Sequence, residues 1–136
     1  MRTMKILAVI AITFALLIGI ELISQKPDYF SEQETEWILQ EGYDINVLSK
    51  DMNNITEMMD ENPRNYNKIE SKFRESSKDA NNALRSSKNI EGTMRIEEAK
   101  TSWENAISEL EEEFKMGEIR AKQKNDKVLD NELKKC

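Results

Sequence analysis

The sequence predicts an all-α protein: an N-terminal transmembrane helix followed by an extracytoplasmic antiparallel three-helix bundle with coiled-coil-like spacing. Three observations carry this expectation. Residues 6–20 are apolar and uncharged. From Trp37 onward, apolar side chains recur every three or four positions, the period of one helix face. Two short polar breaks, Asn62-Pro63 and Glu91-Gly92-Thr93, divide this pattern into three runs.

The opening run extends from Ile6 to Ile23, 18 positions interrupted only by Glu21. As a helix it is about 27 Å long, just short of a hydrocarbon core of about 30 Å. Ile6, Leu7, Phe14, Leu16, Leu17, Ile20 and Ile23 are its membrane-spanning side chains, and Glu21 falls near the outer interface. Arg2 and Lys5 precede the run, so the positive-inside bias keeps the N-terminus cytoplasmic and exports the remainder. After Ile20 the chain reads Glu-Leu-Ile-Ser-Gln-Lys-Pro, without the pair of small residues that signal cleavage requires. The expectation is therefore an uncleaved signal anchor in the cell membrane, with secretion after cleavage as the alternative. It divides the chain into a cytoplasmic start (residues 1–5), the anchor (6–24), a linker (25–30), a helical bundle (31–116) and a polar helical tail (117–136), frayed or dependent on a partner.

From Gln25 onward the chain has 18 basic and 25 acidic residues, a net charge of −7. Leu, Ile, Val and Phe supply only 19 of these 112 residues, so order must come from pattern rather than abundance. Helix A is expected over 31–61. Ser31 and Glu34 form a capping box, and Ile38, Ile45, Met52 and Met59 recur every seven residues, with Leu48 and Ile55 beside them. Trp37, Leu39, Tyr43 and Val47 widen this stripe, and Gly42 weakens its middle. Helix B is expected over 63–88, capped by Asn62 with Pro63 at its first position. Its stripe is Tyr66, Ile69, Phe73, Ser76, Ala80, Ala83 and Leu84, small enough in its second half for a neighbouring backbone to come close. Helix C follows a cap at Thr93 and carries Met94, Ile96, Ala99, Trp103, Ala106, Ile107, Leu110 and Phe114. Beyond Gly117 its stripe thins to Ile119, Ala121, Val128, Leu129 and Leu133. Short connections imply antiparallel neighbours. Because the seven-residue phase runs on through Pro63, one long kinked helix in an intermolecular coiled coil is the alternative.

Composition excludes most chemistry. The chain has no histidine, one cysteine (Cys136) and four glycines. His-based triads, zinc sites, internal disulfides and glycine-rich phosphate loops are therefore ruled out. No Ser-x-x-Lys occurs. The acidic run Glu109, Glu111, Glu112 and Glu113 reads as a solvated helix face, and Asp60–Asn65 lacks the central glycine and oxygen donors of a calcium loop. No catalytic residue, cofactor or metal is expected. The acidic exported part argues against nucleic acid, and no small-molecule ligand is expected. Trp37, Trp103 and the methionines at 52, 58 and 59 read as core. Asn54-Ile55-Thr56 makes Asn54 a glycosylation acceptor in a host that glycosylates exported proteins.

The function expected is non-enzymatic: a single-pass membrane protein presenting an acidic bundle to a second copy or to an envelope protein. Its contact residues would be Val128, Leu129 and Leu133, with Cys136 as an interchain covalent lock. The rival is a ligand-sensing module. Such a module resembles the exported helical bundles of bacterial or archaeal chemoreceptors. Those have a second membrane helix and a large cytoplasmic output, whereas this chain has one membrane segment and about five cytosolic residues, so a signal would have to pass through a partner.

Overall fold

The computed structural model describes residues 16–135, and within them the chain forms four α-helices and no strand. Helix α1 covers residues 16–25, α2 is Glu32–Asp60, α3 is Tyr66–Asn89 and α4 is Glu97–Lys135. The chain is all-α, as the periodicity implies.

Helix α2 starts where its capping box predicts. Glu34 N–H donates to Ser31 Oγ at 3.2 Å, and Ser31 N–H donates to Glu34 Oε1 at 2.8 Å. Two backbone donors that lack intrahelical partners are satisfied reciprocally. The start of α3 differs from the expectation. Asn65, not Asn62, is the cap, its side chain accepting from Lys68 N–H at 3.1 Å. Pro63 and Arg64 are left in the connection, where Arg64 Nε donates to Met59 O at the exposed end of α2. Because the chain reverses here, the unbroken kinked helix does not form.

Consecutive helices run antiparallel. Trp37 near the start of α2 meets Ser87 near the end of α3, and Asp51 meets Lys72. Across the next pair, Arg74 meets Glu118 and Asn81 meets Glu111. Helix α3 packs directly on both neighbours. Its inner face is small, with Ser76, Ser77, Ala80, Ala83 and Ser87 all buried. Into it fit the large side chains of the flanking helices: Trp37, Ile45, Leu48 and Ile55 from α2, and Trp103, Ile107, Leu110 and Phe114 from α4. Both tryptophans are core residues. Leu39 and Tyr43, expected to widen the stripe, are instead exposed on the outer side of α2, and Met94 is exposed in the turn before α4.

Helix α1 packs on α2. A Cβ on Gly42 would lie 3.0 Å from Ile20 Cδ1, and one on Gly19 would lie 3.2 Å from Ile38 Cγ2. Gly42, read as a weakness, is the position that admits Ile20. Leu16 is buried in the shared core, Ile20 and Ile23 are half-buried, and Leu17 is exposed. Ile6, Leu7 and Phe14 lie outside the described residues. Among the described residues no helix is long and apolar enough to cross a membrane.

Helix α4 takes in the helical tail expected beyond Gly117 and runs 39 residues to Lys135, about 58 Å against about 36 Å for the 24 residues of α3. Gly117 is the site of closest approach: a Cβ there would lie 2.5 Å from the Phe73 ring. Arg74–Glu118, buried Ala121 and the Lys124 ammonium over the Tyr66 ring hold the next two turns to α3.

Two fully buried serines on α3 separate packing from hydrogen bonding. Ser87 Oγ accepts from the Trp37 indole N–H at 2.9 Å, whereas Ser76 Oγ has no hydrogen-bond partner. Ser87→Ala leaves a buried donor unpaired and is expected to cost about 1–3 kcal/mol in urea unfolding. Ser76→Ala removes an unsatisfied oxygen and is expected to be neutral or stabilising. Equal losses in both variants would contradict this packing.

Candidate functional site

Two regions depart from ordinary core packing: the free end of α4, and a row of acidic side chains turned inward along α2.

The end of α4 follows from the unequal helix lengths. Tyr66 is the first residue of α3, and Lys124 lies over it. Past Lys124, the eleven residues to Lys135 have no α3 alongside them. Val128 continues a seven-residue series, Ile107, Phe114, Ala121, whose members are 0%, 4% and 4% exposed; Val128 itself is 44% exposed. Leu129 and Leu133, one turn apart, are 51% and 75% exposed. The helical pattern is therefore maintained while its cover ends. The Lys134–Asp130 pair, spaced i,i+4 at 3.3 Å, supports the helix locally. Residues 115–135 carry seven bases and four acids, and residues 97–113 seven acids and one base. Of these, the projecting residues 125–135 hold three bases and three acids, so a charge-balanced end projects from an acidic body. Val128, Leu129 and Leu133 stand together on this projection, and Cys136 lies outside the described residues. Asn54 is exposed in the last third of α2.

The first inward acid is Glu41, which is fully buried. Ser86 Oγ lies 2.7 Å from Glu41 Oε1 and 2.7 Å from Asp44 Oδ2. One hydroxyl proton cannot serve both oxygens, so the set needs a further proton, held on the Glu41 carboxyl. Burial and the neighbouring Asp44 push the Glu41 pKa up to about 9, while Ser86 works in the other direction. The Trp103 indole N–H also faces this carboxyl and lowers its pKa, although it falls short of a full hydrogen bond. Glu41 is thus a neutral carboxylic acid near pH 7.

The second inward acid is Asp51. Lys72 Nζ lies 3.1 Å from Asp51 Oδ1 and 3.3 Å from Glu75 Oε2. Burial opposes the Lys72 charge, but Asp51 and Glu75 outweigh it and hold its pKa above the usual lysine value. Asp79 joins from the next turn of α3, and burial together with Asp51 raises its pKa to about 7. Oxygens of Asp51, Glu75 and Asp79 all lie within 4.8 Å of one another. A third acid, Glu34, sits at the capping box. The Thr93 hydroxyl donates to its Oε2, and with the Ser31 backbone this keeps its pKa below the ordinary carboxylate range. Thr93 therefore uses its hydroxyl to tie the α3–α4 connection to α2, rather than to cap α4.

A cleft of about 440 Å³ lies where α1 meets Trp37 and Ile38 of α2 and Ile96, Ala99 and Ser102 near the start of α4, with Arg95 and Glu98 also in its lining. Its walls are mainly apolar.

Sequence reading missed the buried acids, although a signal exists. Glu41 falls between Trp37 and Ile45, and Asp51 between Leu48 and Ile55, so both occupy positions of the apolar stripe itself. A charged residue at a stripe position marks a buried polar site. Comparison with protein-family models, with curated proteins and with solved structures finds no match.

The Glu41 site has a defined pH signature. Its folded-state pKa is raised, so between pH about 4.5 and about 9 the folded chain holds a proton that the unfolded chain has released. Its contribution is full at the acid end of this window and is lost as pH rises, by about 1.4 kcal/mol per pH unit. Glu41→Gln retains a neutral group that can accept from Ser86 and donate to Asp44. It is expected to be more stable than the native chain at pH about 8 and to converge with it near pH about 5. Parallel stability curves for the two chains would refute the assignment.

Proposed function

We propose that this protein acts without catalysis, as a single-pass membrane protein whose acidic three-helix bundle presents the end of α4 to a second copy or to a partner protein. The observation that carries the reading is the series Ile107, Phe114, Ala121, Val128, which passes from buried to exposed where α3 ends. An isolated helix end of eleven residues is marginal in water, and covering Val128, Leu129 and Leu133 would add the burial that stabilises it.

Membrane attachment is supported by the apolar run of residues 6–23 and by Arg2 and Lys5 before it. The packing of Leu16, Gly19 and Ile20 against α2 favours a second reading, in which the later part of that run serves as cover for the bundle.

One experiment addresses both halves. The full chain and a variant with Val128, Leu129 and Leu133 all changed to Ser are expressed, membranes are washed with alkaline carbonate, and the pellets are treated with a lysine cross-linker. Both chains are expected to remain in the pellet, and the cross-linked product is expected only from the native chain. Release of the native chain into the wash would refute the anchor in favour of the second reading. Undiminished cross-linking in the variant would refute the α4 surface.

A further inference from the structure

We propose that the seam between α3 and α4 carries a binding site for the doubly charged phosphate monoester of a small, water-soluble molecule. The site is a groove of about 370 Å³, large enough for a phosphate together with the group it esterifies. Every residue that lines it is polar or charged: Ser77, Lys78, Asn81, Asn82 and Arg85 on α3, facing Glu111 and Lys115 on α4. Helical spacing brings them together. Lys78, Asn82 and Arg85 fall at i, i+4 and i+7, one face of α3 over two turns, and Ser77 and Asn81 form the row beside it. The groove is separate from the end of α4 and gives the ligand-sensing alternative a place on the bundle.

Charge balance is the first support. Lys115 Nζ lies 3.0 Å from Glu111 Oε1, and Asn81 Nδ2 donates to the same oxygen at 3.2 Å, so the one acid of the groove is already neutralised. Lys78 and Arg85 have no ion-pair or hydrogen-bond partner among the described residues. Earlier cations of α3 differ, since Lys72 and Arg74 are each paired with two acids. Two uncompensated positive charges thus flank a hollow in a chain of net charge −6. A dianion balances them, and the planar fork of Arg85 matches two phosphate oxygens. Seven residues set Lys78 and Arg85 about 10.5 Å apart along α3, a gap that their long side chains close around one phosphate over Asn82. The second, independent support is Ser77. It is only 7% exposed and lines the groove, and its hydroxyl has no hydrogen-bond partner among the described residues. A buried hydroxyl left unpaired is costly, and a phosphate oxygen would accept its proton. No residue with an apolar side chain lines the groove to receive an acyl chain, which favours a soluble ester over a lipid headgroup.

Calorimetric titration of the full chain in a non-ionic detergent, at pH about 8 where a phosphate monoester is doubly charged, tests the site. The probes are glycerol 3-phosphate, acetate as a singly charged control, and dihexanoyl phosphatidic acid, which presents the same monoester on a lipid. Each variant is first shown to be helical by circular dichroism. The native chain is expected to bind one glycerol 3-phosphate with a Kd of about 1 mM, and both acetate and the lipid more weakly. Lys78→Gln and Arg85→Gln each remove a charge-assisted contact and are expected to weaken binding at least about tenfold; Ser77→Ala is expected to weaken it about fivefold. Lys88→Gln removes an exposed cation of α3 that does not line the groove, and is expected to leave Kd unchanged. No saturable heat from the native chain at about 20 mM glycerol 3-phosphate, well above the expected Kd, overturns the proposal. An unchanged Kd in Lys78→Gln or Arg85→Gln does so as well, since the anion would then lie elsewhere. A loss in Lys88→Gln as large as that in Arg85→Gln would reduce the binding to a general charge effect and overturn it too. Lipid binding as tight as that of glycerol 3-phosphate, or tighter, would overturn the assignment to a soluble ligand.

Discussion

The small inner face of α3 is the constraint on which the other contacts depend. Ser76, Ser77, Ala80, Ala83 and Ser87 project little, so α3 can lie close to two helices at once. The volume it gives up is filled by Trp37, Leu48, Trp103 and Ile107, the bulkiest of which sit toward the end where the capping box of α2 meets the α3–α4 connection. Large side chains opposite small ones give the interdigitation that close packing needs. The same arrangement decides what happens to polar atoms. Serine in place of alanine brings hydroxyls into the interior, and Ser86 and Ser87 use theirs on Glu41, Asp44 and Trp37.

Buried acids then follow as part of the design rather than as isolated irregularities. Glu41 and Asp51 lie ten residues apart on the inner side of α2, and each faces α3. They are treated differently. Glu41 has a hydroxyl and an acidic neighbour but no cation, so it is held neutral. Asp51 has Lys72, whose ammonium lies 3.1 Å from its Oδ1. Each buried acid of α2 thus meets a different set of polar partners on α3, beside a core of Leu and Ile side chains.

Much of the fold is legible in the residues, and the misreadings have physical causes. The start of α2 is plain because Ser31 and Glu34 satisfy each other. The start of α3 is ambiguous because Asn62 and Asn65 can both cap; Asn65 prevails, and Arg64 is left to bind the end of α2. Gly42 looks like a defect in one helix and becomes a contact only when α1 is placed against it. What holds the later turns of α4 is hidden, because Arg74–Glu118 and Lys124–Tyr66 are an ion pair and a cation–ring contact that no apolar period reveals. Of the candidate site, Val128, Leu129 and Leu133 are legible as a stripe. Their exposure is not, since it depends on where α3 begins. The cluster of Asp51 with Glu75 and Asp79 joins residues 24 and 28 positions apart and needs the antiparallel turn to exist.

The central claim is that α4 outruns the helix that covers it. Amide hydrogen exchange, read residue by residue on the full chain at two concentrations, tests it most directly. The account predicts slow exchange at both concentrations over Ser76–Ser87 and Trp103–Phe114, with residues 125–135 exchanging fast in dilute solution and slowing as concentration rises. Slow exchange of residues 125–135 in the dilute monomer, matching that of the core, would contradict it.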